Sequence, residues 1–583
     1  MKNKSILKPY IIKHKWKYIF GVITLFVVDF ANLYVPEFTG KITDGLDSGA
    51  MTMDNIRLLI IQILILGTII AIGRFLWRYF IFGGSRLIEY ELRNDLFNHL
   101  EGLSANFFNK NKTGDLMAHF TNDFNAIRMA IGPAVVTTFD ATILTTMVII
   151  KMISHVNLQL TIVAVIPMLL ILIGGIFFGK EIEKRFKEKQ EAFSNLTDEV
   201  QESISGIRVI KGFVQESKDV EKFSKSNLRN KEKNIRVVRL TALVLPLIDV
   251  IIGVSIVVTI LYGGRLALSN QITIGEFVAF TQYIFMLVWP MIAVGESINL
   301  FSQGIASLKR IEKILDVQAE VYDDENVDTT VERLEGDIEF RNLTFKYNEN
   351  LPNSLTDISF KVKRGQTLAI VGPTGSGKST IASLLVRLYN TEPGTIFLDN
   401  RDIREIPLKV LRENIAFVPQ ESFMFSDTIA NNIAFGSDNN DIEKIKKAAK
   451  DASVHNNIMD FPLGYETIVG ERGVTLSGGQ KQRCSIARAL MKDAPILILD
   501  DSLSAVDTDT EEIILSNLKK NRQGKTTIII AHRISTIQNS DLIIVMEEGK
   551  IKESGSHDEL LEQRGIYWKI YNRQQLEKQI GAS

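Results

Sequence analysis

A single cysteine, Cys484, stands among the 583 residues, so no intrachain disulfide can form and the chain suits a reducing cytosol. On its helical stretch Cys484 reads as a small packing residue. A basic surplus is also missing. Lys and Arg number 67 against 68 Asp and Glu, a net charge of −1, which gives no electrostatic footprint for nucleic acid. No cleavable leader is evident. Lys2, Lys4, Lys8, Lys13, Lys15 and Lys17 precede the first apolar run with no acidic residue among them, and no small-residue cleavage site follows it. Long apolar runs are absent beyond about Phe301, where the chain reads as a soluble α/β domain. The 45% hydrophobic content therefore averages two unlike parts of a chain too long for one compact domain.

The apolar runs lie in the first part. A hydrocarbon core about 30 Å thick needs about 20 mostly apolar helical residues. Six segments qualify: Tyr18–Phe38, Leu58–Phe82, Ala130–Met152, Leu160–Phe178, Ala242–Leu268 and Phe277–Leu300. The connections after the second and fourth, near 83–129 and 179–241, are long, polar and helical in pattern; the others are short. The N-terminus and both long connections hold most of the Lys and Arg, which places them and both termini in the cytoplasm. The stretch Glu181–Gln201 is charged nearly all round and reads as a solvated helix.

Six ionisable residues fall inside the spans: Asp29, Arg74, Arg78, Asp140, Asp249 and Glu296. A charge in hydrocarbon costs at least about 2.5–3.5 kcal/mol, so each should face a cavity or a partner. Asp29 and Arg74 come at similar depth on antiparallel neighbours and are expected to pair; Arg78 can snorkel to the interface. On the last span Phe285, Trp289, Ile292 and Glu296 form one helical stripe. Aromatics beside a carboxylate would suit an amphipathic, cationic substrate. The plainer reading of that stripe is helix packing, with Glu296 bonded to a neighbour.

The second part carries phosphate chemistry. The apolar strand Thr367–Val371 ends in Gly372-Pro373-Thr374-Gly375-Ser376-Gly377-Lys378-Ser379-Thr380, and the amphipathic Ile381–Leu388 follows. Strand, glycine-rich loop and helix start are what a P-loop requires. Its N–H groups close around phosphates, Lys378 reaches the β- and γ-phosphates, and Ser379 ligates Mg²⁺. Further on, Ile496-Leu-Ile-Leu-Asp500 is a buried-strand pattern ending in a carboxylate, which would hold Mg²⁺ opposite Ser379. Between them Leu476-Ser477-Gly478-Gly479-Gln480 opens the helical Ser485–Met491, a second anion site far from the first in sequence. Two phosphate-binding loops so separated are best used by pairing with another domain.

These residues resemble the signature of ATP-binding cassette proteins. With six spans ahead of the cassette, the whole chain is similar to a half-size ABC exporter. The resemblance implies a membrane all-α six-helix domain with long cytoplasmic extensions over residues 1–310, a linker at 311–335, and an α/β P-loop NTPase over 336–583. It implies an ATP hydrolase coupled to transport across the membrane, with ATP and Mg²⁺. Tyr347, in Phe345-Lys-Tyr347, matches the aromatic that stacks on adenine. Gln420 matches the Q-loop residue that contacts Mg²⁺, Glu471 the X-loop, and Asp507 the D-loop. His532, in Ala531-His532-Arg533, matches the switch histidine at the γ-phosphate. Coupling helices are expected at the tips of the two long connections, near Lys112–Leu116 with Asp115 and near Gly206–Gly212 with Arg208. The family's partner is a second half-transporter, arranged head to tail so that each ATP lies between one chain's P-loop and the other's Ser477–Gln480.

One position departs from the pattern. The residue after Asp500 is normally Glu, which polarises the attacking water; here it is Asp501. The carboxylate is one methylene short, and a displacement of about 1 Å in a catalytic group can cost on the order of 100-fold in rate. A blunted base beside an intact signature suits a heterodimer, as in the bacterial heterodimeric multidrug ABC exporters that this chain resembles. The expected substrate is a hydrophobic or amphipathic compound taken from the lipid bilayer. A homodimeric lipid or peptide exporter is the alternative, and an ABC ATPase without transport the rival from another class.

Overall fold

The computed structural model describes residues 6–49, 51–437, 440–470, 473 and 475–581. The chain divides into two units, Met1–Glu101 with Lys112–Val317, and Gly102–Asn111 with Gln318–Ser583.

The first unit is helical. Its long rods are α1 (Lys15–Asp47), α2 (Met53–Glu101), α3 (Thr113–His155), α4 (Leu158–Ser205), α5 (Glu216–Leu268) and α6 (Ile274–Leu315). Among the described residues five of these are long and apolar enough to cross a membrane; α4 begins with the shorter apolar stretch Leu158–Ile171 and continues to 48 residues. Apolar side chains cover the outside of these rods. Leu64, Ile65 and Phe75 on α2 are exposed, as lipid-facing residues are and soluble-helix residues are not. Inside, Leu25, Val28, Ile70, Trp77 and Ile81 join α1 to α2, while Leu33, Met152, Leu160, Phe280 and Tyr283 join α1, α3, α4 and α6. Where α4 and α5 leave the apolar zone, Lys233 meets Glu188 at 2.7 Å across the pair.

The helices begin with sequence-encoded caps. Asn157 accepts from the Leu160 N–H, and Thr273 with Glu276 forms a capping box at α6. Asp44 of α1 secures the same end, accepting from the Gly275 N–H at 2.6 Å and the Thr273 hydroxyl at 2.8 Å. Three of these rods carry widened, π-wound turns, α2 at Arg78–Phe82, α3 at His119–Asp123 and Asp140–Leu144, and α5 at Thr259–Gly263.

Asp29 and Arg74 do not pair. Among the described residues, Arg74 is exposed and forms no salt bridge, whereas Asp29 is buried, 5% exposed, and its Oδ2 has no hydrogen-bond partner. Similar depth on neighbouring helices brings Arg74 within electrostatic reach of Asp29 but not to salt-bridge distance. Among the described residues the stripe on α6 is not a buried packing face either. Phe285, Trp289, Ile292 and Glu296 are all exposed, while Phe280, Ile284, Leu287 and Met291 form the buried side.

The second unit is built on two sheets. Strands β1 (Ile338–Phe345), β2 (Leu355–Val362), β4 (Ile396–Leu398) and β5 (Arg401–Asp402) form an antiparallel sheet in the order β2-β1-β4-β5. In the larger sheet β3 (Thr367–Val371), β6 (Ile415–Val418), β7 (Ile496–Asp500), β8 (Thr526–Ile530) and β9 (Leu542–Glu547) run parallel and β10 (Lys550–Gly555) is antiparallel at the edge, in the order β10-β9-β3-β8-β7-β6. Alternation along the strands feeds two cores. Leu368, Ile370, Ile496, Ile498 and Ile528 point into one, and Ala369, Val371, Leu497, Leu499 and Ile529 into the other. Such doubly covered parallel strands read as continuous apolar runs, as Ile496–Leu499 does.

Candidate functional site

Three loops leave the carboxyl ends of neighbouring strands and meet in one cleft. From β3 comes the glycine-rich loop, from β7 the pair Asp500–Asp501, and from β8 His532. Ligands of open α/β sheets bind at this edge. The cleft, about 560 Å³, is lined by Tyr347, Thr374, Gly375, Gly377, Lys378, Ser379, Thr380, Gln420, Asp500, Asp501 and His532 among others. It thus gathers residues from Tyr347 to His532, nearly every one expected of the nucleotide site.

Local conformation explains the loop. Gly377 has φ of 94° and caps α7 (Lys378–Leu385); a Cβ there would lie 2.7 Å from both the Ser354 carbonyl oxygen and the Leu355 side chain. Lys378 folds back onto its own loop, donating to the carbonyl oxygens of Gly372 at 2.9 Å and Pro373 at 2.8 Å, with Ser376 Oγ at 3.5 Å. The ammonium is thereby held inside the glycine-rich loop. Burial pulls the Lys378 pKa down, opposed by the charges of Asp501 and Asp500. Asp500, 4% exposed, shifts the opposite way: burial pushes its carboxyl above the usual range, Asp501 adds to this, and the Ser379 hydrogen bond opposes it.

Tyr347 stands at one end of the cleft. Its hydroxyl lies 2.9 Å from Thr380 Oγ1, and its ring meets Phe345 and Tyr389 edge-on at 5.1 and 5.0 Å. At the other end Asp501 adopts φ of 45°, a left-handed conformation that Asp tolerates better than most residues. Its backbone is held on both sides, the N–H donating to the Ile530 carbonyl at 2.8 Å and the carbonyl accepting from Ser504 Oγ at 2.9 Å.

The second anion motif sits elsewhere. Ser477 and Gln480 form a capping box at the start of α8 (Gly478–Met491), beneath the buried Leu476. At Gly479 a Cβ would lie 2.7 Å from the Ala505 carbonyl oxygen, so only glycine lets this turn approach the loop that follows Asp501. None of residues 476–480 lines the cleft of Lys378. Asp507 caps α9 (Thr508–Asn521), accepting from the Thr510 N–H at 2.9 Å. Glu471 lies outside the described residues.

Of the expected coupling tips, Arg208 falls in the six-residue helix Ile207–Gly212, at the turn between α4 and α5. Asp115 lies at the beginning of α3, in the first unit. The part of the first long connection that groups with the cassette comes earlier, at Gly102–Asn111 with its helix Ala105–Lys110. There Asn109 donates to the Tyr389 hydroxyl at 2.7 Å, and Asn106 to both oxygens of the Glu320 carboxylate at 2.9 Å. The sequence signal was Ser104, an extended-backbone residue before a short polar helix, which is easily lost within a long helical pattern.

Several positioning residues went unseen in the sequence. The Gln482 side chain accepts from the Ala505 N–H at 2.9 Å and donates to Ser504 Oγ at 3.2 Å, tying α8 to the loop after Asp501. Arg533 donates to the carbonyl oxygens of Val506 and Ser504 and to the buried Glu511 carboxylate. Gln574, near the end of the chain, bonds the main chain on both sides of Arg533, at His532 O and Ile534 N. Arg522, 7% exposed, donates to Ala494, Pro495 and Thr526 carbonyls and to Thr527 Oγ1, fastening the starts of β7 and β8.

Residues 18–291 match the family described as ABC transporter transmembrane region, and residues 355–504 that described as ABC transporter. The chain is 40% identical over 575 residues to a probable multidrug resistance ABC transporter ATP-binding/permease protein, YheI, of Bacillus subtilis, covering 98% of each chain. It belongs to the ABC exporter family, as a half-size member with membrane and ATPase domains on one chain. An ATP-dependent lipid A-core flippase of Syntrophus aciditrophicus is 36% identical over 501 residues, 86% of this chain and 82% of the relative. Among solved structures, a bacterial Atm1-family ABC exporter with ATP bound superposes with a TM-score of 0.76 at 28% identity, over 98% of this chain and 99% of the other. The exporter is therefore a multi-pass membrane protein whose cassette hydrolyses ATP to drive translocation, and like its family it works as a dimer.

Proposed function

We propose that this chain is the degenerate half of a heterodimeric exporter that moves hydrophobic or amphipathic compounds, of multidrug type, out across a bacterial cell membrane. The observation that carries the reading is Asp501. The position that should polarise water holds a shortened carboxylate, while the Ser477–Gln480 capping box is well formed. A blunted base on one chain and a sound clamp for its neighbour make sense when the neighbour supplies Glu. Tyr347 would stack on adenine, the loop Gly372–Thr380 would hold the phosphates, and His532 would meet the γ-phosphate. The partner's signature would close this site, and Ser477–Gln480 would close the partner's.

The donor set suits Mg²⁺. Ser379 Oγ and Asp500 Oδ1 lie 2.9 Å apart with Gln420 lining the same cleft, all hard oxygen donors. Magnesium takes one or two protein oxygens and completes its shell with water and phosphate. Accordingly, among the described residues no group of three His, Cys, Asp or Glu side chains forms a metal site. When bound, the ion would neutralise charge on the β- and γ-phosphates.

The Lys- and Arg-rich N-terminus and long connections support a cytoplasmic cassette. Asp115, Arg208, Glu471 and Asp507 would take part in coupling, together with Gly102–Asn111. The exposed stripe of Phe285, Trp289 and Glu296 would face the substrate path. A homodimeric lipid exporter is the second reading, favoured by the likeness to a lipid A-core flippase. Purification of the chain alone decides between them. The heterodimer reading expects weak ATP turnover that rises on adding a partner half, and brisk turnover by a stable homodimer would refute it.

A further inference from the structure

Three membrane helices bring charge and aromatic surface to one place. Asp29 of α1 is 5% exposed, and its Oδ2 has no hydrogen-bond partner among the described residues. It lies within electrostatic reach of Asp140 on α3. The indole of Trp289 on α6 interacts with the Asp140 carboxylate. Asp140 opens the widened π turn Asp140–Leu144, a distortion of helices frequent at functional sites. Trp289 and Phe285, one turn apart, remain 53% and 56% exposed on the same side of α6.

Two carboxylates so placed repel each other; among the described residues neither forms a salt bridge, and the exposed Arg74 acts on Asp29 only from beyond salt-bridge distance. Intramembrane acids left in this way mark a pathway or a site. We propose that Asp29, Asp140 and Trp289 form a binding site for an organic monocation, its ammonium or phosphonium centre held by the two carboxylates and its apolar body lying along Trp289, Phe285 and Ile292. The carboxylates supply charge complementarity, the indole face adds cation–π attraction, and the exposed stripe supplies apolar area. The inference rests on the exporter reading above and narrows its substrate class.

The test compares two probes of similar size and unlike charge, ethyltriphenylphosphonium and neutral triphenylphosphine oxide. Binding is measured to the full-length chain, in the assembly it forms in membranes, after transfer to lipid nanodiscs. The intact protein should prefer the cation by at least about tenfold, the worth of one partly desolvated charge contact. Asp29→Asn and Asp140→Asn should each lower cation affinity about tenfold and leave the neutral probe unchanged. Nanodiscs of phosphatidylglycerol with and without phosphatidylethanolamine identify the source: competition by the latter points to a lipid amine, its absence to a free amphiphile, and both agree with the site.

A cation preference that survives both substitutions, or equal loss of both probes, overturns the proposal. Should Asp29→Asn fail to accumulate, Asp140→Asn, whose carboxylate is half-buried, decides alone. The exporter reading fails separately, if the unsubstituted assembly neither binds nor carries either probe; the cation site alone fails if the oxide is bound and carried while the Asn variants keep the preference.

Discussion

Ser379 Oγ donates to Asp500 Oδ1 at 2.9 Å across 121 residues of sequence, joining the helix after the glycine-rich loop to the end of β7. The bond holds the two expected Mg²⁺ ligands together without the ion. It only partly offsets the burial of Asp500, whose carboxyl is pushed above its ordinary value.

A pH dependence follows with a definite sign. A carboxyl whose folded pKa is raised binds more protons in the native than in the unfolded state, so its contribution to stability is present below its unfolded pKa and lost as pH rises through the folded value. Asp500→Asn removes that loss. The nucleotide-free variant should melt at a higher temperature than the parent, with a gap that opens as pH climbs from about 4 and then levels off. Its stabilisation by Mg-ATP should disappear. Differential scanning fluorimetry across pH reads both effects, and a variant less stable than the parent at neutral pH would contradict the account.

Asp501 sits at φ of 45° between two backbone bonds, so the position itself is rigid and only the reach of the side chain is short. Asp501→Glu should raise hydrolysis at this site by about 10- to 100-fold, the scale of a 1 Å correction. Glu tolerates left-handed backbone less well than Asp, so a cost of about 1 kcal/mol should accompany the gain. Single-turnover ATP hydrolysis and thermal melting separate the two. On the heterodimer reading, Asp501→Asn should change the overall rate far less than loss of a Glu at the matching position of the other half.

Cys484 lies on α8 at 1% exposure, and burial pushes its thiol up to about 12. At pH 8 about one thiol in 10⁴ would then be ionised, against roughly one in four for a free cysteine. The folded chain should resist N-ethylmaleimide at pH 8 and react at once in denaturant. Since this is the sole cysteine, mass spectrometry gives the answer directly.

Much of this architecture was legible in the sequence, for identifiable reasons. Membrane helices announce themselves because hydrocarbon admits only satisfied backbone and apolar surface. The run Ile496–Asp500 reads as a buried parallel strand because both its faces are covered. The cleft was legible because backbone geometry demands glycine at 377 and chemistry demands Lys378, Ser379 and Asp500. Side-chain approach was not legible. The expected Asp29–Arg74 pair stops short of a salt bridge, because depth along a helix does not fix how closely two side chains approach. Nor were the clamps Gln482, Arg522, Arg533 and Gln574, whose acceptors are largely main-chain carbonyls that come from almost any sequence. Their positions depend on tertiary packing alone.

Gln482 provides the last and most specific expectation. It is 7% exposed, and its side-chain oxygen satisfies the Ala505 N–H while its amide reaches Ser504. Gln482→Leu keeps the volume and leaves the Ala505 donor unpaired, a loss of about 1–3 kcal/mol. Because Gly479 packs against the Ala505 carbonyl, the start of α8 should shift with that loop. Nucleotide binding at this chain's own P-loop should remain, since no atom of Gln482 lines that cleft. Hydrolysis at the site completed by Ser477–Gln480 should fall, on the order of tenfold for a displacement smaller than 1 Å. Photolabelling with an azido-ATP on each half, alongside steady-state turnover of the assembly, distinguishes the two sites. Equal loss of binding at both would mean that Gln482 supports the cassette as a whole and does not position the signature.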